Sequence, residues 1–250
     1  SGTYTVQLTA TDTDGAASAV ASQAVTITAV ELQGTTLVAG GTTGDDVIRF
    51  GQRPGGAINV TINGVSQGDF TGVTGIVAYG QAGNDVLSVS GRVTVPAALF
   101  GGDGNDVLQA GGGPTVLVGG AGDNVLLAGS GRDVLIGGSG TNVLLGLGGD
   151  DLLIAGSTAF DSNVTALQAI LAEWSSGRDY LTRIANLTGT GSGADFANRL
   201  NGDNFLVAGQ TVFGDAGNSL VVGGPGQDWF FAGLADLVLG RRNDEVLTQL

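Results

Sequence analysis

The sequence of 250 residues contains no cysteine, histidine, methionine or lysine, and these absences exclude several kinds of chemistry. Without histidine, neither a Ser-His-Asp triad nor a histidine-ligated zinc site can form. Without cysteine there is no thiolate nucleophile, and without lysine there is no Schiff base. Carboxylate-only chemistry such as glycoside hydrolysis remains open. Because nearly all carboxylates fall in glycine-rich turns, however, we expect that the protein is not an enzyme.

Basic residues are also few. The chain has nine arginines and 23 acidic residues, and its formal net charge is −14. Nucleic acids and anionic membranes are bound through basic patches, so this balance argues against both and favours cations. No apolar run is long enough to span a bilayer. The lack of an initiator methionine and of a leader predicts a mature or excised segment. If secreted, a chain without disulfides needs another means of stabilisation.

Glycine is abundant, at 47 of 250 residues, and much of it belongs to one repeat. From Gly101 to Ile154 the chain divides without a gap into GGDGNDVLQ, AGGGPTVLV, GGAGDNVLL, AGSGRDVLI, GGSGTNVLL and GLGGDDLLI. Positions 1, 2 and 4 are mostly glycine, position 6 is Asp or Asn in five of the six units, and positions 7 and 8 are apolar. A chance glycine-rich run does not explain six units in register, so the repeat organises the fold.

These nonapeptides resemble the RTX, or haemolysin-type, calcium-binding repeat GGxGxDxUx. The resemblance implies an all-β fold, a parallel β-solenoid of the β-roll type. In it, six residues form a calcium-binding turn, three form a short strand, and two nonapeptides complete one coil. We expect a small α-helical insertion and an N-terminal β-hairpin in addition. In a three-residue strand the middle side chain points inward, which predicts a core of Leu108, Leu117, Leu126, Leu135, Leu144 and Leu153.

The same resemblance places calcium ligands at position 6. Because the strands alternate between two sides, one edge carries Asp106, Asn124 and Asn142, and the other carries Thr115, Asp133 and Asp151. Two carboxylates at the strand spacing of about 4.8 Å repel by about 3 kcal/mol at an effective dielectric constant of about 20. Calcium accepts roughly 6–8 oxygen ligands and turns this repulsion into attraction. The expected metal ligands are Asp46, Asp85, Asp103, Asp106, Asn124, Asp133, Asp151 and Asp228.

Some of these positions depart from the regular repeat. Asp46 and Asp85 lie in the upstream segments GTTGDDVIRF and GQAGNDVLS, and Asp85 is expected to stack on Asp106 as the best two-carboxylate site. Asn124 and Asn142 offer neutral oxygens where the family has Asp. A ladder of stacked, hydrogen-bonded amides explains that middle section as well as calcium does.

Five segments follow from these patterns: strands of an Ig-like or PKD module (1–30), an irregular β region (31–100), the nonapeptide roll (101–154), a helical insertion (155–202) and C-terminal solenoid turns with a cap (203–250).

The helical insertion is predicted from apolar residues that recur at helical spacing, namely Val164, Leu167, Ile170, Leu171 and Trp174. Gly177 is expected to end that helix. At this spacing Trp174 indicates core rather than a sugar-stacking platform. A second helix is expected from Tyr180 to Leu187, and a third helical turn near Phe196. Trp229, Phe230 and Phe231 are expected to be too large for the roll and to pack the helices onto its open end.

The first thirty residues alternate around TDTDG and resemble the last two strands of a PKD or bacterial Ig-like domain, with Asp12 and Asp14 as turn residues. The order of residues 31–250 is similar to C-terminal regions of large planctomycete proteins. These resemblances imply a structural or adhesive module of a secreted or cell-surface bacterial protein, which folds when it meets calcium outside the cell. Two alternatives stay open: a filament subunit that donates its N-terminal strands to a neighbour, and a carbohydrate-active enzyme. The expected partners are calcium, copies of the chain and other cell-surface components.

Overall fold

The computed structural model describes residues 2–8, 21–27 and 29–250, and only the backbone of the first two segments. Its elements are β1 (Gly2–Leu8), β2 (Ala21–Ile27), β3 (Val30–Gln33), β4 (Thr36–Gly40), β5 (Val47–Gln52), β6 (Ile58–Ile62), β7 (Val65–Phe70), β8 (Gly75–Ala82), β9 (Val86–Val89), β10 (Ala97–Asp103), β11 (Val107–Gln109), β12 (Thr115–Ala121), β13 (Val125–Leu127), β14 (Val134–Ser139), β15 (Val143–Leu145), β16 (Leu152–Ile154), β17 (Ser157–Thr158), α1 (Val164–Trp174), α2 (Tyr180–Thr188), α3 (Gly193–Ala197), β18 (Val212–Phe213), β19 (Leu220–Val222), β20 (Trp229–Ala232), β21 (Leu237–Leu239) and β22 (Val246–Gln249). Among these described helices, none is both long enough and apolar enough to cross a membrane.

Two nine-stranded sheets contain most of the strands. Sheet 1 has the order β3-β4-β8-β10-β12-β14-β16-β20-β22, and sheet 2 has the order β7-β6-β5-β9-β11-β13-β15-β19-β21. From β8 to β16 the chain alternates between the two sheets, and neighbours within each sheet are parallel. The expected all-β fold with parallel strands is therefore confirmed.

The leucines at position 8 form the core between the sheets, as predicted. Leu108, Leu117, Leu126, Leu135, Leu144 and Leu153 are all fully buried in one cluster. The reason is the alternation of side chains along a strand, which turns the middle residue of three inward and its neighbours outward. The pairing of Leu108 with Leu126, and of Leu126 with Leu144, stacks identical side chains along the sheet.

In each of the two sheets, the strands at the end formed by the N-terminal part of the chain are antiparallel. Strand β3 pairs with β4 in sheet 1, and β5, β6 and β7 form an antiparallel meander in sheet 2. The turn between β6 and β7 contains Asn63 and Gly64 with φ of 52° and 77°, the left-handed pair expected of Asn-Gly in a tight hairpin. Strands β1 and β2 pair antiparallel with each other. The predicted turn residues Asp12 and Asp14 lie outside the described residues.

The helices pack on the outer face of sheet 1. Asn163 caps α1 by accepting a hydrogen bond from the Ala166 amide (3.1 Å), and Leu167, Ile170 and Leu171 bury against outward-facing residues of β12, β14 and β16. Helix α1 ends at Trp174 with Ser175 as its cap, so the expectation that Gly177 ends it is wrong. Trp174 is fully buried, which confirms its assignment to the core.

The prediction for the aromatic trio of β20 is correct that Trp229 and Phe231 pack against the helices, and wrong about Phe230 and about the open end. Phe230 points inward and is fully buried in the core between the sheets, while Trp229 and Phe231 point outward into the helix-facing cluster. The inner side has room for Phe230 beside Gly223, where a methyl group would come within 2.8 Å of the ring atom Cζ. The helices therefore cover a sheet face rather than an open end, since β21 and β22 add further strands beyond β19 and β20.

Candidate metal-binding turns

The position-6 residues lie in two rows of turns, one on each edge of the sheet pair. The first edge carries the residues that directly precede strands of sheet 2: Asp46, Asp85, Asp106, Asn124, Asn142, Ser219 and Asp236. The second edge carries Thr115, the first residue of β12, and the residues that directly precede the later strands of sheet 1: Asp133, Asp151, Asp228 and Glu245. This division is the one that the alternation of the nonapeptides predicted.

Each row is a hydrogen-bonded ladder. On the first edge, the amide of each residue donates to the side-chain Oδ1 of the next: Asp46 to Asp85 (2.7 Å), Asp85 to Asp106 (2.7 Å), Asp106 to Asn124 (2.9 Å) and Asn124 to Asn142 (2.9 Å). On the second edge, Thr115 donates to Asp133 (2.7 Å), Asp133 to Asp151 (2.9 Å) and Asp151 to Asp228 (2.8 Å). The stacking of Asp85 on Asp106 is confirmed by this contact.

Three of the predicted metal ligands have both carboxylate oxygens satisfied without an ion. Oδ2 of Asp133 accepts the amide of Gly129 (2.7 Å), and Oδ2 of Asp228 accepts the amide of Gly224 (2.9 Å). Oδ2 of Asp46 accepts the amide (2.5 Å) and the hydroxyl (2.8 Å) of Thr42. Burial raises the pKa of Asp46, but the Thr42 bonds and one from Asn63 together bring it below its ordinary value.

The side-chain amide of Asn124 makes the hydrogen bonds of its turn. Its Oδ1 takes the ladder bond from Asp106, and its Nδ2 donates to the carbonyls of Gly122 (3.2 Å) and Gly137 (3.4 Å). Asn142 repeats the pattern with a bond from Nδ2 to the Gly140 carbonyl (3.3 Å). The amide ladder that explains this section without calcium is thus present in the structure.

Asp85 and Asp106 place an oxygen where the asparagines place a nitrogen. Oδ2 of each is buried and has no hydrogen-bond partner among the described residues. The space beside two glycines shows what lies near these oxygens. A methyl group on Gly101 would touch both Oδ2 of Asp106 and the Gly119 carbonyl. A methyl group on Gly80 would touch both Oδ2 of Asp85 and the Gly101 carbonyl. Two acceptors that lie beside the same point of a buried site need a proton or a cation near both of them. Oδ2 of Asp151 on the second edge is likewise buried and unpartnered among the described residues.

The backbone conformation differs between the Asp133 turn and the Asp106 turn. In the Asp133 turn, the glycine four residues earlier, Gly129, donates its amide to the carboxylate. In the Asp106 turn the corresponding residue, Gly102, lies in β10 with φ of 115°, a value that favours glycine, and makes no such bond. A side chain at Gly102 would also collide with the Gln81 carbonyl, so this turn depends on glycine.

Burial raises the pKa of the unpartnered carboxyls. Desolvation, followed by the negative charges of Asp85 and Asp103, raises the pKa of Asp106 to about 6. Desolvation and the charge of Asp133 are the main causes that raise the pKa of Asp151 to about 9. Desolvation also raises the pKa of Asp85. The chain therefore holds these carboxyls in sites where a bare negative charge is unfavourable.

The ligand set available to a metal is mostly backbone. Among the described residues, no three acidic side chains come together as a metal cluster. Asp103, a predicted ligand, is exposed at the end of β10. An ion at the first edge would therefore be held by one or two carboxylates together with glycine carbonyls, oxygen ligands that suit calcium better than softer metals.

A second ladder at position 5 was not predicted from the sequence. The amide of Asn84 donates to Asp45 Oδ1 (2.7 Å), that of Asn105 to Asn84 (2.9 Å) and that of Asp123 to Asn105 (2.8 Å). At position 5 the later turn donates to the earlier one, whereas at position 6 the earlier turn donates to the later one. Neighbouring turns are therefore joined by hydrogen bonds in both directions. The signal in the sequence is the pair of Asp or Asn residues in DD, ND, ND and DN at successive first-edge turns.

The two edges differ in how their negative charge is balanced. On the second edge, Asp150 pairs with Arg183 (2.7 Å) and Arg132 (3.2 Å), and Glu245 pairs with Arg242 (3.0 Å). On the first edge, no arginine of the described part of the chain pairs with Asp46, Asp85, Asp106 or their position-5 neighbours. The first edge is therefore the one that lacks an internal cation.

Comparison with known families matches the RTX calcium-binding nonapeptide repeat, in four copies, at residues 99–113, 118–153 and 208–236. The repeat prediction is confirmed by this match, which includes Asp106, Asn124, Asp133, Asp151 and Asp228 and lies downstream of Asp46 and Asp85. Comparisons with curated proteins and with solved structures found no match.

We expect an unusual pH dependence of stability in the absence of calcium. The pKa of Asp106, Asp133 and Asp228 is raised to about 6, against about 3.9 in an unfolded chain. Their stabilising effect is full below the unfolded value and is lost as pH rises through about 6, by up to about 3 kcal/mol for Asp106. In chelator, the melting temperature should therefore fall as pH rises between these values. A melting temperature that rises over this interval would contradict the assignment.

Proposed function

We propose that the chain is a calcium-binding β-roll, and that it serves as a non-catalytic structural or adhesive module of a secreted or cell-surface bacterial protein. The observation that carries the proposal is the pair of buried, unpartnered oxygens of Asp85 and Asp106, each facing a glycine carbonyl at the first edge. The RTX-type match downstream supports calcium as the ion.

In this proposal the residues of the two edges have different roles. Asp85 and Asp106 contribute Oδ2, and Gly101 and Gly119 contribute the facing carbonyls. Asp151 is the corresponding candidate on the second edge, while Asp46, Asp133 and Asp228 act as hydrogen-bond acceptors that order their own turns. Bound calcium would supply the positive charge that the first edge lacks. Asn124 would continue the ladder without an ion.

A role outside the cell follows from the energetics of these turns. Where free calcium is scarce, the unpaired carboxyls disfavour the folded state, and where calcium is millimolar, binding to the folded state alone stabilises it by mass action. The proposal also includes a PKD or Ig-like module at residues 1–30 and a location at the bacterial surface. The lack of histidine, cysteine and lysine supports a non-catalytic role.

Self-assembly by strand donation is the second candidate. It is supported by the pairing of β1 with β2 as a two-stranded sheet of their own, apart from the two nine-stranded sheets of the described chain. Such strands can pair with the edge of a neighbouring copy. Light scattering in calcium of the full chain, and of a chain that begins at residue 29, distinguishes this candidate from a monomer.

Calcium removal tests the proposal as a whole. At a calcium concentration of about 100 times Kd, each occupied site adds about 2.7 kcal/mol, or roughly 5–10 °C in Tm for a domain of this size. We expect circular dichroism melts to shift upward by at least this amount between chelator and millimolar calcium, with a smaller shift in magnesium. Equal melting temperatures in chelator and in calcium would show that the ladder is stable on hydrogen bonds alone.

A further inference from the structure

A groove on the outer face of sheet 1, beside helix α1, has the features of a ligand site and uses none of the metal-binding turns. Two adjoining cavities of about 480 and 420 Å³ share Thr36 and Gln168. The first is lined by Val38, Val77 and Tyr79 on the sheet and by Val164 on the helix. The second continues along the helix towards Ser175. Helix α1 has 11 residues, so the groove beside it is about 16 Å long.

One face of an aromatic ring is open in this groove. Tyr79 stacks one face on Phe100, with ring centroids 5.1 Å apart and planes at 16°. On its other side, the residue in register on β4 is Gly40, which has no side chain to cover the ring. A methyl group on Gly40 would meet only Gln81 Nε2, at 3.9 Å, and Tyr79 is 37% exposed. The open slot above Gly40 therefore has an aromatic wall.

The polar groups in the remaining lining are uncharged, and in the second cavity they lie beside apolar residues such as Pro96, Pro114 and Leu171. Gln33, Thr36 and Gln168 present amide and hydroxyl groups, and neither cavity is lined by an arginine or a carboxylate. A chain with a net charge of −14 disfavours anionic ligands, and the absence of a lining carboxylate gives a cationic ligand no partner. Peptides that add to a sheet bind its edge, whereas this groove lies mainly over β4 and β8, whose backbone groups pair with each other, and reaches the edge strand β3 only at Gln33.

We propose that this groove, termed the α1 groove, binds a neutral, extended polysaccharide chain. The apolar face of a sugar ring would stack on Tyr79 above Gly40, and its hydroxyls would hydrogen-bond to the amides of Gln33 and Gln168. Further sugar units would follow the groove along the helix past Thr36. Because no carboxylate lines the cavities, the site would bind the polysaccharide without hydrolysing it. This would give the proposed adhesive module a ligand class.

The test is calorimetric titration of the full chain in calcium with cellohexaose, xylohexaose and mannohexaose, accompanied by saturation-transfer NMR. We expect at least one of these to bind, with saturation transferred mainly to protons on one face of a sugar ring. Tyr79→Ala is expected to lower its affinity about tenfold, and Tyr79→Phe to preserve it, because only the ring face is needed. Gln168→Ala, at an exposed helix position, should lower affinity without changing the melting temperature.

Phe213→Ala is the matched control, because Phe213 is an aromatic residue of similar exposure (40%) that does not line the groove. It should bind like the wild type. The proposal is overturned if none of the three sugars binds at millimolar concentration, or if Tyr79→Ala binds as well as wild type. This outcome is independent of the calcium proposal, because a chain that melts identically in calcium and chelator can still be titrated with sugars.

Discussion

Asp106→Asn is expected to stabilise the protein in chelator and to remove part of its response to calcium. The substitution puts an amide nitrogen where Oδ2 now faces the Gly119 carbonyl, and Asn124 shows that such a nitrogen bonds to the equivalent carbonyl of Gly137 (3.4 Å). Removing an unsatisfied buried acceptor is worth about 1–3 kcal/mol. Thermal melts in chelator should show this gain, and the shift between chelator and calcium should shrink.

The reverse substitution provides the matched control. Asn124→Asp creates a carboxylate oxygen opposite the Gly137 carbonyl, so it should lower stability in chelator and enlarge the calcium response. If the two substitutions change the stability in chelator in the same direction, the contrast between the aspartate and asparagine turns does not determine calcium dependence.

Arg183→Met is expected to cost up to about 3 kcal/mol in chelator, because it leaves the half-buried Asp150 with only one of its two arginine partners. Arg183 is 1% exposed in the hydrophobic face between the helices and sheet 1, where it pairs with Asp150 (2.7 Å) and lies 4.6 Å from the centroid of the Trp174 ring. Burial raises the pKa of Asp150, but a bond from Gln227 and the Arg183 and Arg132 charges together lower it below its ordinary value. The variant removes the Arg183 part of that compensation and keeps the parts from Gln227 and Arg132.

Calcium is expected to reduce the cost of Arg183→Met. Without Arg183, Asp150 keeps only Arg132 (3.2 Å) to balance its own charge and that of the neighbouring Asp151, so this turn becomes more like those of the first edge. Denaturant unfolding in calcium should therefore show a smaller loss than unfolding in chelator. Arg199→Met is the control, since Arg199 also stacks on an aromatic ring (4.4 Å from Phe196) but pairs with the 91% exposed Asp203, and it should cost no more than about 1 kcal/mol in either buffer. Equal losses of Arg183→Met in both buffers would mean that the arginine acts by packing alone.

The repeat made much of the fold predictable. A nonapeptide that ends in a three-residue strand determines which leucine is buried and which edge each turn occupies. The stacked leucines that include Leu108 and the two rows of turns therefore followed directly from the spacing. The helices were predictable because their apolar residues recur at helical spacing. The Phe230 error arose because side-chain size alone does not tell whether a small neighbour, here Gly223, makes room in the core.

The contents of each turn were less predictable than its position. Asp133 and Asp106 occupy the same place in the repeat, yet the first receives an amide from its own turn and the second does not. In the Asp106 turn that difference accompanies the positive φ of Gly102, which the sequence motif does not encode. Likewise, Arg183 reaches the Asp150 turn from a helix 33 residues away along the chain, a contact that no local pattern indicates.

The location of calcium tests the central claim most directly. Crystals grown in calcium, measured at a wavelength where calcium scatters anomalously, should show an ion beside Oδ2 of Asp106 and the Gly119 carbonyl, and a second beside Oδ2 of Asp85 and the Gly101 carbonyl. No ion is expected beside Asn124. First-edge turns without anomalous density in calcium, or density at Asn124 instead, would contradict the account.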